Sequence, residues 1–133
     1  MRKISFDFDD TLEFESVQLY AKSLMNIKNQ DIEIHIVTSR YENLKSYLPV
    51  VWPNGHANLY KVAKELNIPN DRIHFTNFTN KDSFFIDKDF IWHLDDCFHE
   101  CLLINRNTKT KAINSLNSDW IYKCNELLNI PNE

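Results

Sequence analysis

The stretch Ile4-Ser5-Phe6-Asp7-Phe8-Asp9-Asp10-Thr11-Leu12 runs an apolar strand pattern straight into three carboxylates and a hydroxyl. Apolar residues alternate at first and then become neighbours, as in a strand covered on both faces. Like charges at the end of a buried strand repel one another and lose hydration, so a cation or a proton has to compensate them. Everything downstream is read for the strands that flank this one and the groups that complete its acidic end.

Residues 3–8 are thus a first strand. Val17, Leu19, Tyr20, Leu24 and Ile27 recur at helical spacing over 15–29, with Ser16 as a candidate cap and Asn29-Gln30-Asp31 as the stop. The β-branched run 32–37 is a second strand ending in Thr38-Ser39-Arg40. A short helix is expected over 41–47, stopped by Pro49, and Pro53-Asn54-Gly55 is a turn. A stronger helix follows over 56–66, where Leu59, Val62, Ala63 and Leu66 share a face.

Residues 72–76 make a third short strand, and 77–89 hold Lys81 and a brief apolar turn at Phe84-Phe85-Ile86. The fourth strand, 90–94, ends abruptly in Asp95-Asp96, a weaker fifth strand is expected at 101–104, and a helix over 117–129 closes the chain. Strands alternating with helices predict an α/β fold, doubly wound, in which a mainly parallel five-stranded sheet is covered on both faces. Ligands of such sheets sit beyond the carboxyl ends of the strands, where strand order reverses. With the first and fourth strands adjacent at that point, Asp7 and Asp9 meet Asp95 and Asp96.

The length, 133 residues, suits one domain spanning 1–133, and a composition of 43% hydrophobic and 26% charged residues is that of a globular chain. A net charge of −4 gives no broad basic surface for nucleic acid. No run reaches a membrane span and Met1-Arg2-Lys3 leads into an acidic turn; with three cysteines, too few for a disulfide framework, this points to the cytoplasm. Gly55 is the only glycine, which removes both the P-loop and the dinucleotide-binding glycine fingerprint.

An oxygen-only set of carboxylates favours a hard dication, and Mg²⁺ prefers a few carboxylates together with water and a substrate phosphate. Beside such a metal, Asp7 is placed to attack phosphorus, giving an aspartyl-phosphate that water later hydrolyses. Asp9, one strand period on, is placed to protonate the leaving oxygen and then to deprotonate water. Thr38 and Lys81 supply a hydroxyl and an ammonium for the phosphoryl oxygens.

Asp7-Phe8-Asp9-Asp10-Thr11 resembles the first motif of the haloacid dehalogenase-like superfamily of phosphohydrolases; Thr38 after an apolar strand resembles the second, Lys81 the third and Asp95-Asp96 the fourth. All four stand in the family's order over residues 7–96. The resemblance implies a Rossmann-like three-layer sandwich, Asp7 as nucleophile and Mg²⁺ ligand, and Asp9 as acid/base and as metal ligand through its backbone carbonyl. It further implies that Thr38 and Lys81 hold phosphoryl oxygens and that Asp95, with Asp96 beside it, completes the metal set. Asp10 stands where many members have Gly, and an Asp tolerates turn geometry better than most residues. The intervals between motifs leave no room for a cap domain, so an open site is expected, with residues 13–16 as the only flap. An open site suits a nucleotide or a phosphorylated nucleic-acid end.

Other readings compete. For Asp7 and Asp9 the alternative is a cap or surface turn, and for Asp95-Asp96 a turn, though capping needs one acid where the first motif carries three. Lys88 rivals Lys81, and Arg40 is either a substrate contact or a solvated side chain. His93, Cys97, His99 and Cys101 have the types for zinc but lack a paired CxxC, so a buried histidine and packed thiols are the simpler account. At the level of function, the alternatives are a catalytically silent binding or regulatory protein of the same fold, and a receiver-type signalling domain, which needs a phosphate-accepting acid that residues 50–56 do not contain.

Overall fold

The computed structural model describes residues 1–28, 31–43 and 54–132. Five strands, β1 (Arg2–Phe6), β2 (Ile32–Thr38), β3 (Ile73–Phe75), β4 (Phe90–Asp95) and β5 (Lys111–Asn114), form one sheet in the order β3-β2-β1-β4-β5. Every pairing is parallel. Helices α1 (Glu15–Met25), α2 (Ala57–Glu65), α3 (Asp82–Phe85), α4 (Phe98–Asn107) and α5 (Trp120–Leu128) connect or follow the strands. The result is a Rossmann-like α/β arrangement, and among the described residues no cap stands apart from it. No helix among them is long and apolar enough to cross a membrane.

Strand periodicity, shifted by one residue in β4 between Phe90 and Trp92, sorts the core into two layers. Ile4, Phe6, Ile34, Ile36, Trp92 and Leu94 bury one face together with Val17, Tyr20 and Leu24 of α1, Leu59 and Ala63 of α2, and Cys124 and Leu128 of α5. A smaller cluster joins Val37 and Phe90 to Phe85 of α3 and Ile104 of α4. Burial of this kind contributes roughly 1.5–3 kcal/mol per large side chain. The second face also carries polar residues: Ser5, His35 and His93 are all buried.

The first four strands lie where the sequence pattern puts them, within two residues at each end. The fifth does not. Residues 101–104 are in α4, where Cys101 and Ile104 bury one helical face and Leu102 stays exposed. A short apolar run suits a strand or a buried helical face equally, and here the helix wins. The strand is Lys-Ala-Ile-Asn at 111–114, of which only Ile113 is buried, a pattern too short and polar to stand out. Smaller differences are physical too: α1 ends at Met25, and its cap position is Phe14 rather than Ser16. Gln18 instead reaches back to the carbonyls of Leu12 and Glu13 at 3.0 and 3.1 Å. The helix expected over 41–47 falls mostly outside the described residues, and 41–43 are not helical.

Candidate active site

β1 and β4 are neighbours, and the Asp7 N–H extends their ladder by donating to the Leu94 carbonyl at 2.9 Å. That register sets Asp7 beside Asp95. The chain then turns through Phe8–Leu12, where Asp9 is extended and Asp10 takes φ 58°, ψ 18°. This is the left-handed geometry expected of a Gly-like position, and Asp tolerates it better than most residues. Glu13 pins the turn by accepting the Asp10 N–H at 3.0 Å.

Asp7, Asp95 and Asp96 each bring a carboxylate oxygen within 4.8 Å of the others, the one such group of three or more potential metal ligands among the described residues. Buried Lys81 spans the first two, donating to Asp7 Oδ1 at 2.8 Å and Asp95 Oδ2 at 2.6 Å. Its own backbone N–H donates to Glu100 Oε2 at 2.8 Å, so α4 helps to fix it. The Thr11 hydroxyl lies 3.3 Å from both Asp7 Oδ2 and Asp96 Oδ1 and serves one at a time. A cavity of about 220 Å³ opens over this group; Asp9, Asp10, Ser39, Cys97 and Glu100 complete its wall.

The two buried carboxylates are not equivalent. Burial holds the Asp7 carboxyl well above its ordinary range; the Lys81 charge offsets part of this, and repulsion from Asp95 adds to it. Burial pushes Asp95 the same way, but the hydrogen bond from His93 and the Lys81 ammonium outweigh it and hold Asp95 well below the usual range. Burial also opposes the Lys81 charge, yet its two carboxylates win and raise it above the ordinary lysine value. Asp95 takes the larger share of local donors, so Asp7 carries the uncompensated repulsion.

Asp9 lines the cavity, but its carboxylate is outside the three-acid group. It is gripped by Arg40, which donates from Nε to Oδ2 at 2.9 Å and from Nη2 to Oδ1 at 2.6 Å. Arg40 is buried, packs over the Phe8 ring at 5.1 Å, and is held through Nη1 by Asn58 Oδ1 at 3.2 Å and His56 Nδ1 at 3.3 Å. His56 donates in turn from Nε2 to the Tyr41 carbonyl at 2.8 Å. Arg40 is therefore neither a solvated side chain nor open to substrate. The only sign of this in the sequence is a cationic residue two positions past a strand end.

Thr38 is fully buried beneath the cavity and does not line it; its Oγ1 accepts the Arg40 N–H at 3.3 Å. The set His93, Cys97, His99 and Cys101 does not come together: His93 is buried between Ser5 and Asp95, while Cys97 and His99 are exposed. Lys88 faces the Phe84 ring and carbonyl instead of the acids. A second recess of about 310 Å³, beside β5 and α4, has Phe98, Leu102, Asn105 and Lys123 in its wall and no carboxylate.

The site is that of an α/β protein whose buried acids and lysine converge at the carboxyl ends of two adjacent central strands. Neither models of known protein families nor curated proteins match the chain.

Proposed function

We propose that this chain is a Mg²⁺-dependent phosphohydrolase of the haloacid dehalogenase-like type, without a cap, acting through an aspartyl-phosphate. The observation that carries the reading is the meeting of Asp7, Asp95 and Asp96 around Lys81 at the ends of β1 and β4. Donor chemistry fits the metal: three carboxylates, no thiol and no imidazole, with Asp7 and Asp95 repelling each other across the site. Asp7, Asp95 and Asp96, with the Asp9 backbone carbonyl, would hold the ion. When bound it offsets that repulsion and shields phosphoryl charge.

In the first step an Asp7 carboxylate oxygen bonds to phosphorus as the bond to the leaving oxygen breaks, and Asp9 gives that oxygen its proton. In the second, water attacks the same phosphorus, Asp9 takes its proton, and inorganic phosphate leaves with Asp7 restored. Lys81 keeps a third N–H for a phosphoryl oxygen; the expected role of Thr38 at a second oxygen gains no support, because its hydroxyl is fully buried and off the cavity wall. The open cavity supports a nucleotide or a phosphorylated nucleic-acid end as substrate. Three free cysteines support a cytoplasmic setting.

The test is release of phosphate from nucleotides, sugar phosphates and 3′- or 5′-phosphorylated oligonucleotides, with Mg²⁺ or with EDTA. Turnover that persists in EDTA, or that survives Asp7→Asn, would sink the mechanism. One observation favours a second reading, a binding protein without turnover: both oxygens of Asp9 are engaged by Arg40. Wild-type protein that binds phosphate esters and never releases phosphate would decide for it. A receiver-type domain gains no support, because receiver sheets follow the order 2-1-3-4-5 whereas this one runs 3-2-1-4-5.

A further inference from the structure

His93 and Ser5 face each other across β1 and β4 in the sheet register, and both are wholly buried. His93 Nδ1 lies 2.8 Å from Ser5 Oγ, and Nε2 lies 2.8 Å from Asp95 Oδ2. Phe85 packs on the imidazole at 5.1 Å between ring centres. A serine and a histidine in the middle of two central strands forgo the apolar burial that a valine or leucine would bring there. Their hydrogen bonds, however, run in one direction, to a carboxylate of the acidic group.

The donor count at Asp95 sets what that direction means. Asp95 Oδ2 accepts from His93 Nε2 and from Lys81 Nζ, whereas Oδ1 accepts only the Cys97 N–H at 3.0 Å. An ionised carboxylate only accepts, so Nε2 carries the proton, and Nδ1 accepts from the Ser5 hydroxyl. Asp95 thereby fixes the tautomer of His93, Ser5 holds the ring in place through Nδ1, and His93 turns Asp95 so that Oδ1 keeps the freer lone pairs.

We infer that His93, oriented by Ser5, is a positioning residue that aims Asp95 Oδ1 at a divalent cation. The inference rests on the metal-dependent reading above and adds to it two residues outside the resemblance. Groups behind a ligand that fix its orientation typically change metal affinity about 10- to 100-fold when removed.

Mn²⁺ serves as the probe, its binding followed by calorimetry and by electron paramagnetic resonance on the whole chain, with thermal unfolding as a control for folding. His93→Phe removes the donor and is expected to weaken Mn²⁺ binding about 10- to 100-fold, whereas His93→Gln, whose amide still donates to Asp95, recovers most of it. Ser5→Ala, the smaller change, guards against a His93→Phe protein that does not fold; it is expected to weaken binding about threefold or more by freeing the orientation of the imidazole. Folded His93→Phe or Ser5→Ala protein with wild-type Mn²⁺ affinity overturns the inference alone. Absence of Mn²⁺ binding by the wild type overturns the metal reading and the inference with it. Equal loss in His93→Phe and His93→Gln overturns the hydrogen-bond account, since packing would then be the cause.

Discussion

Arg40 holds Asp9 by both prongs of its guanidinium, at 2.9 and 2.6 Å, from a buried position behind the cavity wall. The anchor of this grip lies further along the chain, because Asn58 and His56, at the start of α2, fix the remaining nitrogen of Arg40. A lysine offers one point charge where the fork offers two parallel donors, so Arg40→Lys is not a conservative change. If Asp9 is the acid/base group, Arg40→Lys lowers kcat about tenfold or more while KM moves less than about threefold. The loss is larger for an alkyl phosphate than for an aryl phosphate, whose leaving oxygen needs little protonation. Equal losses on both esters would separate Arg40 from proton transfer.

A pH prediction arises away from the site. On the second face of the sheet, His35 Nδ1 lies 2.9 Å from His74 Nε2, and His35 Nε2 lies 2.7 Å from Glu33 Oε1. Burial pushes His74 from its ordinary 6.5 down to about 4, and the nearby His35 adds to this. Burial lowers His35 as well. A depressed histidine binds its proton more readily in the unfolded chain, so stability is full above about pH 6.5 and declines as pH falls toward 4. His74 is partly solvated, which limits its share to about 1 kcal/mol. Urea unfolding of wild type and His74→Phe across this range checks it: the variant's curve should be flatter. Identical slopes would remove His74 as the cause.

How much of this was legible in the sequence differs from residue to residue. Asp7 and Asp95 could be placed together because each ends an apolar strand, and parallel sheets gather such ends at one edge. Lys81 was legible only through its place in the ordered set, since it stands at the cap of a helix of four residues, too short to carry a periodic signal. Arg40, Ser5 and His93 were not, for a different reason. Their meaning lies in a partner 31 or 88 positions away, and it takes the strand register to bring that partner within 3 Å. Spacing along a chain reports which face a residue shares, and seldom what stands opposite it. The missed β5 is a case of the same limit: an edge strand with one buried side chain leaves almost no pattern.

That edge is covered by a side chain. Asn105 Nδ2 donates to the Ala112 carbonyl at 3.0 Å, and Asn105 Oδ1 accepts the Ala112 N–H at 2.8 Å, so the amide of α4 pairs with β5 as a neighbouring strand would. Exposed strand edges invite pairing with other chains. Asn105→Leu, which removes both bonds, is expected to destabilise the protein by about 1–2 kcal/mol and to promote self-association. Chemical denaturation and sedimentation at rising concentration check the two effects. A variant as stable and as monodisperse as the wild type would show that water covers this edge equally well.

Lys81 is the group whose removal tests the electrostatic account of the site most directly. Its ammonium bridges Asp7 and Asp95, and all three side chains are buried. Lys81→Met leaves the two buried acids facing each other without their shared cation, and breaking a buried pair typically costs about 3–5 kcal/mol. In EDTA the variant should therefore melt well below the wild type. Mg²⁺ added in excess binds the folded form and restores stability by mass action, about 2.7 kcal/mol at a hundred times its dissociation constant. The restoration should be larger in Lys81→Met than in the wild type, because the variant site carries one more uncompensated negative charge. It should vanish in the double variant Asp7→Asn with Asp95→Asn. Melting curves in EDTA and in Mg²⁺ for these proteins decide the matter: a Lys81→Met protein as stable as wild type in EDTA would refute the charge balance, and one that Mg²⁺ leaves unmoved would refute the proposed cation.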